Sequence, residues 1–240
     1  MTDGRTVGGT GGGAAVAVRA SAGNGAGTGG GAAVAVPASA GNRRRERERI
    51  AMRARLLEAA RAIAAEEGWQ AVTIRRIADR LEYASPILYQ YFSGKDALLL
   101  ELVSVGFREV TEQLRAASRV DPENLLAALA GAYWGYAFAA PELYQAMNGL
   151  DGVPFGTAQT PAEAREAFGV FRGALVRLAE ASGRALPDAD GAVNTIWACL
   201  HGFVSLAMAR RIAGGPERAK RLLLRALPAV FDSMLGEPAG

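Results

Sequence analysis

The chain has 240 residues, half of them hydrophobic, and carries a formal net charge of +3. This length and composition suit one or two globular domains and exclude a fibrous protein. Its longest apolar run, residues 194–209, contains polar side chains and is shorter than the roughly 20 residues that a membrane span needs, so no membrane anchor is expected. The lone Cys199 cannot form an internal disulfide, which favours a cytoplasmic protein.

Positive charge is concentrated in one segment. Residues 43–95 contain 12 Lys and Arg against 7 Asp and Glu, whereas residues 96–240 contain 13 against 16. A small basic module joined to a slightly acidic remainder is typical of proteins that neutralise nucleic-acid phosphates. The charge distribution therefore indicates a nucleic-acid partner for residues 43–95.

The first 42 residues are rich in Gly and Ala and contain a repeat. Residues 9–24 recur as residues 27–42 with one change, from Arg19 to Pro37. Such a segment has too few large apolar side chains to form a core, and it is predicted to be a disordered tail.

The rest of the chain is predicted to be all-α, with about nine helices and no strand. An amphipathic helix is expected over residues 43–68, with Ile50 on its apolar side. A long helix is expected over residues 94–118, and "TPAE" (160–163) is expected to be a capping box. The two predicted domains are an N-terminal three-helix domain, 43–95, and a C-terminal helical domain, 96–240.

A helix-turn-helix pattern occupies residues 70–92. Thr73 is predicted to cap a short helix from Ile74 to Leu81, and the turn 82–84 leads to a second helix ending at Phe92. At 100° per residue, the second helix has an apolar face and a small, polar face. The polar face consists of Ser85, Pro86, Tyr89 and Gln90.

The polar face suits the major groove of DNA. Gln90 can pair bidentately with adenine, Pro86 can touch a thymine methyl, and the Tyr89 hydroxyl can reach a phosphate. Lys95 opens the following helix, where its ammonium and the free N–H groups of the helix can meet a phosphate. Arg75, on the preceding helix, can reach a base edge or the backbone.

Five arginines upstream form a basic arm interleaved with Glu46 and Glu48. One interpretation is a solvated helix start with ion pairs three and four residues apart. The other is an arm that lies along phosphates or in the minor groove, with Arg45 as the candidate contact.

The segment "AVTIRRIADRLEYASPILYQYFSGKDALL" (71–99) resembles the TetR/AcrR family of transcriptional regulators almost position by position. The resemblance implies a homodimer that places two reading helices in successive major grooves of a palindromic operator. Two positions depart from the family pattern: Glu82 stands where Gly is usual, and Ala84 stands where a capping Ser or Thr is usual. The contacts that the resemblance implies are to bases from Arg75, Ser85, Pro86 and Gln90 and to phosphates from Thr73, Tyr89, Tyr91 and Lys95.

Residues 96–240 contain no catalytic constellation, no cofactor motif and no metal-ligand spacing. They also resemble one branch of TetR-type C-terminal domains, through Trp197, the pair His201-Gly202 and "PELYQAM" (141–147). That resemblance implies a cavity for a partly apolar small molecule and dimerisation through the last two helices. The candidate cavity residues are Tyr133, Tyr136, Met147, Phe155, Phe171, Trp197 and His201.

The sequence thus favours a cytoplasmic DNA-binding regulator, a repressor that an effector releases from its operator. Two alternatives stay open. One is an architectural DNA-binding dimer without an effector, and the other is a hydrophobic-ligand carrier or enzyme that uses the helical cavity.

Overall fold

The computed structural model of the protein describes residues 40–149 and 160–237. Within these ranges it contains nine α-helices, one short 3-10 helix and no strand, which confirms the predicted all-α fold. The helices are α1 (Ala40–Glu67), the 3-10 helix (Trp69–Ala71), α2 (Ile74–Arg80), α3 (Ser85–Leu88), α4 (Lys95–Ala117), α5 (Pro122–Ala139), α6 (Pro141–Gly149), α7 (Ala162–Ala181), α8 (Ala189–Met208) and α9 (Gly215–Asp232). The repeat-containing tail and Phe155 lie outside the described residues.

Burial on α1 is confined to its second half. Side chains become buried from Leu56 onward, whereas residues 40–51 are exposed. The expectation that Ile50 joins the apolar side is wrong, because 56% of Ile50 is exposed and no described element covers it. The first turns of α1 therefore extend into solvent.

The helix-turn-helix pattern forms much as predicted, with one correction. The Thr73 side chain caps α2 by accepting a hydrogen bond from the N–H of Arg76 at 3.1 Å. The prediction that the second helix continues to Phe92 is wrong, since α3 ends at Leu88. After that point the N–H of Gln90 bonds to the carbonyl of Ile87, three residues back, so the chain tightens into turns.

Helices α4 to α9 surround a second part of the core. Helix α4 packs against α5, α6 and α7, and α8 packs against α9, α7 and α5. The predicted position of the capping box at 160–163 is wrong, because α7 begins at Ala162 and Pro161, rather than Thr160, occupies its N-cap position. Glu163, which the box requires for its return bond, instead pairs with Arg108 of α4 at 2.9 Å.

Helix α8 is apolar over most of its length. Among the described helices it alone is long and apolar enough to cross a membrane by length and composition. One face of it, including Ile196, Leu200 and Val204, is buried against neighbouring helices. A core helix passes the same test, so this property is weak support for a membrane span.

Candidate functional site

The end of the helix-turn-helix segment has one buried face and one exposed face. Leu88 and Phe92 are buried and hold the segment to the core. Pro86 and Gln90 are exposed, and Tyr89 is 57% exposed. Ser85 lies half-buried at the start of the same face. The predicted polar face is thus open to solvent, although it belongs to a helical turn rather than to a full helix.

Arg75 and Thr73 flank this face from α2. The side chain of Arg75 is 87% exposed, and its closest carboxylate, Asp79, is 3.9 Å away. The next two arginines of α2 are tied to α1: Arg76 pairs with Glu67, and Arg80 pairs with Glu66 at 2.6 Å. Arg75 is therefore the arginine of α2 that is most available to an outside partner.

Lys95 begins α4 and is half-buried. Its ammonium donates a hydrogen bond to the backbone carbonyl of Trp69 at 3.2 Å. The indole N–H of Trp69 in turn donates to the backbone carbonyl of Glu142 on α6 at 2.9 Å. The side chain of Lys95 is thus positioned by a residue that also contacts the C-terminal helices.

Two further contacts fix this region. Tyr91 is half-buried, and its backbone carbonyl accepts a hydrogen bond from Arg53 at 2.6 Å. The guanidinium of Arg53 also lies 4.3 Å from the centre of the Phe92 ring, a cation–π distance. These contacts anchor the end of the outward face to α1.

The basic arm has features of both interpretations. Arg44 pairs with Glu48 at 2.8 Å and Arg49 with Glu46 at 3.0 Å, as expected for a solvated helix start. Arg45, by contrast, is exposed and makes no ion pair within residues 40–149 and 160–237. The arm therefore offers Arg45 as an unpaired cation beside its internal pairs.

The C-terminal helices enclose a small apolar cavity. The space that the centre of a water molecule can reach is about 40 Å³, enough for a few atoms. Four of the predicted residues, Tyr133, Met147, Phe171 and Trp197, line it. The other lining residues are Phe107, Val110, Leu114, Asn148, Ala164, Ala167, Phe168 and Val193.

A chain of hydrogen bonds leaves this cavity through the aromatic hydroxyls. The Trp197 indole N–H donates to the Tyr133 hydroxyl at 3.1 Å, and the Tyr133 hydroxyl donates to that of Tyr144 at 3.3 Å. The Tyr144 hydroxyl lies 2.6 Å from Nδ1 of His201, and Nε2 of His201 lies 3.3 Å from the Ser205 hydroxyl. The chain joins α5, α6 and α8.

The chemistry of this chain favours a neutral imidazole. Burial lowers the pKa of His201 below its usual value. Burial also raises the pKa of Tyr144, and it raises that of Tyr133 well above the usual value, so both hydroxyls keep their protons. Tyr144 can then donate to Nδ1 while Nε2–H donates to Ser205.

His201 opens onto a second space on the outer side of α6 and α8. This groove offers about 380 Å³ to water centres and is open to solvent. Asn148 lines both the groove and the apolar cavity. The groove residues are Tyr144, Gln145, Asn148, His201, Ser205, Met208 and Ala209.

Tyr136 lies outside both spaces. It is fully buried, and its hydroxyl approaches the Met147 sulfur at 3.6 Å. Burial, with the nearby Glu109 carboxylate, raises its pKa. Its placement makes Tyr136 a core residue that supports Met147 from behind.

Comparison with known proteins decides the family. Residues 56–102 match the model for bacterial regulatory proteins of the tetR family, and residues 126–230 match the tetracyclin repressor-like C-terminal domain. The chain belongs to the TetR family. Both models describe regulators, which confirms the prediction that the protein is not an enzyme.

Two relatives with a known function match parts of this chain. The chain is 38% identical over 87 residues to the HTH-type transcriptional repressor KstR of Mycobacterium tuberculosis, covering 36% of this chain and 34% of that protein. It is 36% identical over 105 residues to KstR of Mycolicibacterium smegmatis, covering 43% and 45%. The chain thus spans between a third and a half of the length of these relatives.

A solved structure gives a longer match. The regulatory protein SCO4313 is 28% identical, with a TM-score of 0.62 over 77% of this chain and 98% of that one. The similarity of fold therefore extends through the C-terminal helices as well as the helix-turn-helix segment.

The two departures from the TetR pattern have visible consequences. Glu82 adopts φ 58°, the left-handed conformation that the usual Gly adopts without strain. Ala84 precedes α3 in an extended conformation and offers no side-chain cap. The turn keeps its shape, so both replacements are tolerated at some cost in stability.

Sequence reasoning missed several residues of the site. Tyr144, Ser205 and Asn148 join the cavity to the groove, and Trp69 and Glu142 join α6 to Lys95. Tyr144 falls within "PELYQAM", the motif that carried the C-terminal resemblance, so that motif was the available signal. No motif marked Trp69 or Ser205.

Proposed function

We propose that the protein is a homodimeric repressor that binds a palindromic operator and is released by a small-molecule effector. The observation that carries this proposal is the exposed face formed by Pro86, Tyr89 and Gln90 beside the N-terminus of α4. The Tyr89 hydroxyl and the Gln90 amide of this face have no side-chain hydrogen bond to the residues that the structure describes, so both are available for a major-groove contact. The domain that reads DNA spans 43–95, and the effector and dimer domain spans 96–240.

The individual contacts follow from exposure. Gln90, Pro86 and Ser85 read bases together with Arg75. Lys95 and Tyr89 bind phosphates, because a lysine at a helix N-terminus adds its charge to the free N–H groups of the helix. The remaining proposed phosphate contacts are Thr73, Tyr91 and Arg45.

The effector domain connects to the reading surface through α6. Tyr144 of α6 bonds to His201, and two residues earlier Glu142 pairs with Arg61 of α1 at 3.1 Å. Trp69 bonds to the Glu142 carbonyl and holds Lys95. An effector that shifts α6 therefore changes the position of the Lys95 side chain. If the protein has two such positions of α6 and Lys95, an effector that binds one of them more tightly shifts the population toward it.

Dimerisation is assigned to α8 and α9. Leu206 of α8 is 45% exposed and Leu222 of α9 is 37% exposed, so both helices carry apolar side chains outside the core of one protomer. Two such helices from each protomer can form a four-helix bundle. Leu206→Glu together with Leu222→Glu is expected to give a folded monomer by sedimentation, and a double variant that stays dimeric contradicts this assignment.

Selection of bound duplexes from a random DNA pool, at two salt concentrations, tests the function. A palindromic consensus with a steep salt dependence is expected. Lys95→Ala should weaken binding to every sequence and lower the salt slope by about one unit per lysine. The matched control is Lys220→Ala, the other lysine of the chain, which should leave DNA binding unchanged.

Base readout has its own test. Gln90→Ala is expected to relax the preference at one base pair of each half-site by about 1–3 kcal/mol, with the consensus elsewhere retained. An unchanged consensus for this variant would show that Gln90 does not read bases.

An architectural dimer without an effector is the second candidate. The observation that favours it is the small cavity, since about 40 Å³ cannot hold a drug-sized molecule without rearrangement. Thermal-shift screening of small molecules decides between the two. Stabilising compounds that also release DNA support the repressor, and stabilisers that leave DNA binding intact support the architectural protein.

A further inference from the structure

The apolar cavity and the open groove adjoin at one residue. Asn148 lines both, and its side-chain amide donates to the Tyr144 carbonyl at 3.0 Å, which holds it against α6. The hydrogen-bond chain from Trp197 to Ser205 also runs from one space to the other. A single molecule that bridges the two spaces would meet apolar walls at one end and hydrogen-bonding groups at the other.

The two linings share a second property, which is the absence of charge. Among the described residues that form the cavity and the groove there is no Arg, Lys, Asp or Glu. The one titratable base is His201, which burial keeps neutral near pH 7. A charged ligand group would therefore gain no ion pair from these described residues to offset whatever hydration it loses on entering the site, which is costly.

We propose that the effector is an uncharged amphiphile that occupies both spaces. This inference rests on the proposed function and names the chemical class of the effector. The hydrogen-bonding end, a hydroxyl, carbonyl or amide, lies in the groove against His201, Ser205 and Gln145. The apolar body passes Asn148 and enters the space beside Trp197.

Entry of the apolar body requires the cavity to widen. Met147 forms part of its wall, and an unbranched thioether side chain changes rotamer at low cost. Its sulfur rests against the Tyr136 hydroxyl at 3.6 Å and lies where a side chain at Gly106 would be. Displacement of Met147 thus opens the cavity without breaking a strong hydrogen bond.

Binding of the polar end also reaches the hydrogen-bond chain. A ligand hydroxyl that donates to Nδ1 of His201 displaces the bond from Tyr144, whereas a ligand oxygen that accepts from Nε2–H displaces Ser205. Tyr144 lies on α6, two residues after Glu142, so its release changes the helix that contacts Arg61 and Trp69. The same site therefore combines ligand selection with a link to the reading surface.

A matched set of probes tests the inference: 1-octanol, octanoate and octylammonium, each added to the full chain at one concentration below the solubility limit of octanol and the micelle concentrations of the two ions. His201 is the sole histidine, so the signals of its imidazole ring in a ¹H–¹⁵N spectrum report on the groove without ambiguity. We expect octanol to raise the melting temperature and to shift the His201 signals. Octanoate and octylammonium should bind at least about tenfold more weakly, because neither charge finds a partner.

Two variants add to the test. Gln145→Ala changes an exposed groove residue, so the fold is retained, and octanol binding should weaken severalfold. His201→Phe keeps the ring but removes both nitrogens and should weaken it further. The control is Asn194→Ala, an exposed residue of α8 that lines neither space, and it should bind octanol like the parent.

Three results would overturn the inference: equal binding of a charged probe, octanol binding that leaves the His201 signals unmoved, or no binding by any probe. DNA binding by the same preparation is measured in parallel. Operator binding that persists when the probe tests fail leaves the regulator proposal standing. Loss of operator binding with intact octanol selectivity instead removes the regulator proposal and keeps the ligand class.

Discussion

The reading surface and the effector cavity place their polar groups in opposite ways. On the reading surface, Arg75 is 87% exposed and Tyr89 57% exposed, and both point away from the core. Between the cavity and the groove, Tyr133 is 5% and Tyr144 3% exposed, and their hydroxyls bond to each other. The first arrangement can meet a partner without moving, whereas the second must exchange internal bonds for bonds to a ligand.

The largest effect on stability is expected in the segment 85–92, where a buried residue, Leu88, is followed directly by an exposed one, Tyr89. Leu88→Ala removes a fully buried side chain and should lower the free energy of unfolding by about 2–5 kcal/mol. The neighbouring change Tyr89→Ala should alter stability by no more than about 0.5 kcal/mol, yet weaken DNA binding. Chemical denaturation and DNA titration of both variants measure the contrast, which equal losses of stability would contradict.

The next effect is expected inside the hydrogen-bond chain. Tyr144→Phe leaves the Tyr133 hydroxyl and Nδ1 of His201 without their shared partner in a buried setting. The free energy of unfolding should fall by about 1–3 kcal/mol, the range for an unsatisfied buried polar group.

Tyr89→Phe is the control for this loss, because it removes the same hydroxyl from an exposed ring. Denaturation should show no measurable change for it. If Tyr144→Phe were equally silent, the chain of hydroxyls would not contribute to the stability of the C-terminal helices.

The two regions also differ in how far the sequence predicts them. The reading face follows from helical periodicity and caps, so Thr73, Pro86 and Gln90 were placed correctly relative to the core. The end of α3 was not, because a tight turn after Leu88 leaves the same apolar spacing as a continuing helix. Periodicity records which side of a segment is buried, and it does not record where the hydrogen bonds change type.

The cavity was predictable only in part. Tyr133, Met147, Phe171 and Trp197 were expected and line it, whereas Tyr136 is core. Core and cavity use the same apolar and aromatic residues, so a single sequence cannot separate them. The partnership of Tyr144 with His201, 57 residues apart, depends on which helices become neighbours, and local pattern carries no such information.

A smaller effect on stability is expected at the two non-glycine residues that have a left-handed backbone in the part of the chain that the structure describes. Glu82 lies in the turn of the reading segment with φ 58°, and Arg210 follows α8 with φ 56°. Replacing either by Gly removes strain of about 1–2 kcal/mol but increases the freedom of the unfolded chain by up to about 1 kcal/mol. A net gain below about 1 kcal/mol in unfolding free energy is therefore expected at both positions.

The two glycine variants should differ in DNA binding. Glu82→Gly removes a negative charge next to the reading face and should raise affinity at low salt, whereas Arg210→Gly should not. A stability gain at neither position would mean that local contacts compensate for the backbone conformation.

The smallest effect is a pH dependence confined to the C-terminal helices. Burial lowers the pKa of His201 in the folded protein, so the unfolded chain takes up a proton at higher pH than the folded chain does. The stability that the neutral ring provides is complete above the unfolded pKa, about 6.5, and is lost as pH falls through the folded value.

The groups around the ring, namely Tyr144, Ser205 and Trp197, do not titrate in this range, and no other histidine exists to obscure the effect. Denaturation between pH 7.5 and 5.5 should show a decrease for the parent that His201→Phe abolishes, while the stability difference of Leu88→Ala stays constant with pH. A decrease that survives in His201→Phe would assign the pH dependence to carboxylates and leave the two regions alike in this respect.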